Sequence, residues 1–79
     1  MRKRKPIKSE FTAILQREDD GFVAYCPELE VVSQGDTVEQ ARANLREAVE
    51  LFLETASEKE IRDRMRGETY ISSFEVKVG

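Results

Sequence analysis

An α+β fold in the order β-β-β-α-α-β is what this 79-residue chain predicts, on three patterns of apolar residues. The first is two short alternating runs, "SEFTAILQR" and "FVAYC", separated by a turn; the second is a long stripe at helical spacing; the third is a closing segment that alternates again. Together they predict a three-stranded antiparallel meander, one long helix, a short helix and a final strand.

Each element has its own local reason. In "SEFTAILQR", Phe11, Ala13 and Leu15 share one face, and Thr12 and Ile14 the other. "EDDG" follows as a turn, with Asp20-Gly21 as a hairpin dipeptide that tolerates positive φ. In "FVAYC", Phe22, Ala24 and Cys26 oppose Val23 and Tyr25, and Pro27 ends the run because it has no amide to give to a ladder. "LEVVSQ" makes the third strand, up to Gly35.

The stripe Val38, Ala41, Leu45, Ala48, Val49, Phe52, Leu53 and Ala56 predicts a helix docked on the sheet, opened by a capping box of Thr37 with Gln40 and by Asp36 at the positive end of the dipole. Leu51 lies off this stripe among Glu47, Glu50 and Glu54, so it is either an ordinary exposed leucine or the centre of an oligomer contact. "SEKEIRDRMRG" predicts a second helix, capped at Ser57 and stopped at Gly67, with Ile61 and Met65 as its apolar edge. "ETYISSFEVKVG" closes the chain as a strand with Tyr70, Phe74, Val76 and Val78 on one face.

Composition limits what such a domain does. At 39% hydrophobic and 37% charged the chain is globular and soluble, one domain over residues 9–79 behind a basic flexible tail, 1–8. Domains of this size bury only about 60% of their unfolded surface, which favours a homo-oligomer, dimer or tetramer. Arg2, Lys3, Arg4, Lys5 and Lys8 crowd the tail, and the rest carries all 16 acids against 8 bases. An acidic body repels polyphosphate and attracts a basic partner. The tail reads as a solvated terminus or, alternatively, as a contact for nucleic acid.

Chemistry is scarce. Without histidine the chain lacks the commonest general base and the usual metal ligand. Cys26 is the single cysteine, which excludes an internal disulfide and a zinc cluster and fits a reducing cytoplasm; in an apolar strand it reads as a buried thiol, not a nucleophile. A Mg²⁺-carboxylate site needs acids converging from neighbouring strands, whereas "FTAIL" has none and Glu18, Asp19 and Asp20 cluster at a hairpin tip. "SQGDT" lacks the glycines and lysine of a phosphate loop. No run nears the roughly 18 apolar residues of a membrane span. The expectation is a non-enzymatic protein with no cofactor, no metal and no membrane contact.

The stretch "DDGFVAYCPELEVVSQGDTVEQARANLREAVELFLE" resembles the HicB family of antitoxins. The matching features are Gly21, Ala24, Pro27-Glu28-Leu29, Ser33, Gly35 and Thr37, then Ala41, Asn44, Glu47 and Ala48 at helical spacing; "YISSFEVKV" resembles that domain's last strand. The resemblance implies a partial RNase H-like fold without nuclease carboxylates, a cytoplasmic role in a toxin-antitoxin system, and a small basic HicA-type mRNA-cleaving toxin as partner. On that reading Asp20, Tyr25, Glu28 and Glu30 are the candidate partner contacts; on the plainer one Tyr25 packs across strands and the acids are solvated. Many members carry Pro-Gly-Cys where this chain has Glu30-Val31-Val32, which predicts a continuous strand in place of a tight turn. Full-length members append a DNA-binding domain, and since this chain stops at Gly79, direct DNA binding is not expected of it. The alternative function is a solitary homo-oligomeric structural or regulatory domain.

Overall fold

A computed structural model describes residues 10–79; the basic tail expected over 1–8 lies outside the described residues. Three strands form an antiparallel sheet in the order β1 (Ile14–Glu18), β2 (Gly21–Cys26), β3 (Val31–Gly35), and two helices follow, α1 (Val38–Thr55) and α2 (Glu58–Arg66). The α+β class, the meander and both helices are as the sequence predicts.

Register ties the elements to the core. Leu15 pairs with Ala24 and Ala24 with Ser33, so Phe22, Ala24 and Cys26 face α1, as their alternation requires. There Ala24, Cys26 and Leu29 meet Ala41, Leu45 and Val49, with Phe11, Leu15, Phe22, Val31, Phe52 and Leu53 packed around them. Small residues at Ala24 and Ala41 let helix and sheet approach closely. Thr37 caps α1 by accepting from the Gln40 amide at 3.0 Å, while the Gln40 side chain accepts from the Asp36 amide at 2.9 Å. Ser57 caps α2 in the same way, accepting from the Glu60 amide at 3.1 Å.

Two turns differ from expectation. The β1–β2 hairpin closes at the Glu18–Gly21 pair, so the turn is Asp19-Asp20, and Asp19 rather than Gly21 takes positive φ, at 51°. Gly21 is needed for a different reason, since a Cβ there would stand 2.8 Å from the Gly35 carbonyl oxygen. Gly35 in turn lies against the first turn of α1, where a Cβ would come within 2.5 Å of the Ala41 nitrogen. These glycines set close approach between elements. The second difference is at Glu30-Val31-Val32: Val31 and Val32 lie in β3 as expected, but Glu30, in left-handed backbone with φ 57°, belongs to the turn over 27–30 and the strand starts after it.

The final strand is the third correction. Residues 67–79 form no strand in the single chain and stand exposed, Phe74 at 86% and Val78 at 90%. A strand exists only where another backbone edge supplies its ladder, and α2 delivers this segment to none.

Candidate functional site

The sheet has two faces with different fates. The inner one is covered by α1; the outer one carries Ile14 and Gln16 from β1, Val23 and Tyr25 from β2, and Val32 and Gln34 from β3. Register places Ile14 opposite Tyr25 and Tyr25 opposite Val32, so three exposed apolar side chains stand in one row across the sheet. Val32 is 59% exposed. Glu30 lies at the β3 end of this row, in the turn that leads into Val31.

The 27–30 turn is held in place by Glu28. Its carboxylate accepts the Thr12 amide at 3.0 Å, the Thr12 hydroxyl at 2.5 Å and the Cys26 thiol at 3.4 Å. Burial acts to raise the Glu28 pKa, but the hydrogen bonds from Thr12 outweigh it and leave the carboxyl below its ordinary value. Glu28 is therefore a charged bracket between the start of β1 and the turn. Burial pushes the Cys26 thiol up, and the neighbouring Glu28 carboxylate adds to this, so the sulfur is held protonated.

The other side of the turn is closed by α2. Arg64 donates to the Leu29 carbonyl and lays its guanidinium over the Phe52 ring, 4.7 Å from the centroid. This fastens α2 to both the turn and α1.

The sequence-predicted residues thus fall into separate places. Tyr25 is central to the outer face, Glu30 borders it, and Glu28 lies behind the same turn. Asp20 is at the opposite end of β2, about 17 Å away along the strand, in a shallow polar hollow with Glu18, Asp19 and Asp36. Leu51 is 59% exposed on α1, beside Glu47 and Glu54 and well away from the outer face. Ile14 and Val32 were missed by sequence reasoning. The alternation around Ile14 was visible, but not that Ile14 and Val32 would flank Tyr25.

Among the described residues no group of three Asp, Glu or Cys is placed to hold a metal ion, and no helix is long and apolar enough to cross a membrane.

Relatives are found among curated proteins. A UPF0150 protein of Synechocystis sp. is 44% identical over 50 residues, covering 61% of this chain and 69% of the relative. A second from the same organism is 47% identical over 47 residues, 57% of this chain and 60% of the relative. A UPF0150 protein of Helicobacter pylori is 31% identical over 65 residues, 81% of this chain and 90% of its own length. No family model and no solved structure matches the chain. Similarity spanning nine-tenths of the Helicobacter protein, and more than two-thirds of the first Synechocystis one, identifies this chain as a member of the UPF0150 family.

Proposed function

We propose that this protein is a HicB-like antitoxin domain, with the partial RNase H-like arrangement that the resemblance implies. It acts in the cytoplasm as a binding protein without enzymatic activity, neutralising a small basic HicA-type mRNA-cleaving toxin by covering its active site. The observation that carries the reading is the row Ile14–Tyr25–Val32 on the outer sheet face. Exposed apolar and aromatic anchors bordered by polar residues, here Gln16, Gln34 and Glu30, fit a protein-protein contact in which a few anchors supply most of the binding energy.

Charge supports the same partner. Residues 10–79 carry 16 acids against 8 bases, so a basic protein is drawn in and RNA is repelled. Tyr25 anchors the contact and Glu30 pairs with toxin cations at its edge. Asp20 makes a separate, peripheral contact, and Glu28 works indirectly by holding the turn that carries Glu30.

The test is a search for a short basic, histidine-containing reading frame beside this one, followed by an RNA-cleavage assay with its product; absence of such a frame would count against the reading. Added in equimolar amount, the protein should abolish cleavage and co-elute with the toxin, and Val32→Asp should lose both effects while remaining folded. Undiminished cleavage with no complex would refute the reading.

A further inference from the structure

The tail after α2 and the sheet edge at β1 are each incomplete, and they are complementary. Phe74 to Val78 alternate apolar and charged residues in the pattern of a half-buried strand, yet Tyr70, Phe74, Val76 and Val78 are all exposed. Long, apolar, unpaired edges of this kind are sites of chain-to-chain pairing. Helix α1 lies over β3 and β2 and scarcely reaches β1. It leaves beside residues 11–13, the segment leading into β1, a groove of about 330 Å³, with Phe11, Ala13, Leu45 and Val49 among its lining residues and Cys26 at its floor.

The two free edges of the sheet are not equivalent. At β3 the Asn44 side chain already donates to the Gln34 carbonyl at 2.8 Å, and the acids Glu47 and Glu54 stand close by. Among the described residues, β1 is hydrogen-bonded to β2 on one side only. Arg42, Arg46 and Glu50 rim the groove, and on an alternating strand Glu75 and Lys77 face away from it, toward solvent.

Only the first tail residues, Gly67, Glu68 and Thr69, lie beside the chain's own 27–30 turn; residues 70–78 are exposed and pair with no strand among the described residues, and the molecule extends 61 Å along its longest axis against 30 and 17 Å on the others. Its radius of gyration, 15.5 Å, exceeds the roughly 11–12 Å of a compact chain of this length.

We propose that two copies exchange these tails, residues 69–78 of each lying as a fourth strand along β1 of the other, over the groove floored by Cys26. Ten residues span about 33 Å, enough to cross to a neighbour and run the length of β1. Four large apolar side chains on one face of the tail, Tyr70, Phe74, Val76 and Val78, at about 100–200 Å² each remove roughly 400–800 Å² per tail. A two-fold pair doubles this and reaches the roughly 1,200–2,000 Å² of stable interfaces.

The experiment is sedimentation of the full chain with amide hydrogen exchange. The wild type should run at about twice its 9.1 kDa mass, with residues 70–78 protected about 100-fold or more. Phe74→Glu combined with Val76→Glu, and separately Ala13→Arg in the groove, should each give a monomer with unchanged helical circular dichroism and no tail protection. A wild-type monomer overturns the proposal, whether its tail is free or protected in its own groove. A dimer that survives the tail and groove variants overturns it too, including one that only Leu51→Glu dissociates.

Discussion

Thr12 gives both its backbone amide and its hydroxyl to the two carboxylate oxygens of Glu28, sixteen residues away, and so fastens the start of β1 to the β2–β3 turn. The carboxyl is held below its ordinary value, so this contribution is complete above the ordinary 4.5 and is lost as pH falls through the lower folded value. Glu28→Gln should cost roughly 1.5–3 kcal/mol at pH 7, the range for hydrogen bonds to a charged group. Thermal melts from pH 7 to pH 3 should show wild type and variant converging at the acid end; parallel curves would show that the carboxylate charge does not matter.

Gly35 is predicted to be intolerant of any side chain. The atoms a Cβ would strike, the Ala41 nitrogen at 2.5 Å and the Gln40 carbonyl carbon at 2.8 Å, are backbone and cannot rotate aside. Gly35→Ala should destabilise by about 2–3 kcal/mol through forced separation of β3 from α1. Gly21→Ala meets a single close carbonyl oxygen at 2.8 Å and should cost less. Urea denaturation of the two variants measures the order.

Glu30 separates stability from binding. Its φ of 57° costs a side-chain-bearing residue about 1–2 kcal/mol, which glycine avoids at the expense of some unfolded-state entropy. Glu30→Gly should therefore raise stability by up to about 1 kcal/mol and weaken the toxin complex several-fold. Calorimetry of the free variant and titration with the toxin check the two halves independently.

On the outer face the same separation is expected. Val32 is already 59% exposed, so Val32→Asp should change stability by less than about 1 kcal/mol. Placing a charge on the apolar row beside Tyr25 should, on the proposed function, cost about 2 kcal/mol or more in affinity. Equilibrium denaturation and toxin titration of one purified variant supply both numbers; an unchanged affinity would remove the outer face from the interface.

Most of the fold was legible because its signals are local. Thr37 and Ser57 announce helix starts through their own hydroxyls, and the stripe Ala41, Leu45, Val49 reports a buried face by spacing alone. The turns were less legible. Asp20-Gly21 looked like the hairpin tip, yet Gly21 is reserved for its approach to Gly35, and that demand comes from a strand fourteen residues on. The 27–30 turn forms without glycine because Glu28 and Arg64 fasten it from both sides, through partners at Thr12 and Phe52 that no local pattern connects. Of the site, Tyr25 and Glu30 were visible as residue types, and Ile14 and Val32 were not.

By itself the sequence determined the class of every element up to residue 66, the two faces of β1 and β2, an acidic body and the absence of histidine chemistry, because periodicity, capping and charge act within a few residues or depend on composition alone. Only the tertiary structure decided which side chains stand together. Ile14, Tyr25 and Val32 form one row through strand register, Glu28 becomes a bracket through a partner sixteen residues back, and the alternating tail is left without a ladder because a strand requires a neighbouring edge that its own chain does not bring to it.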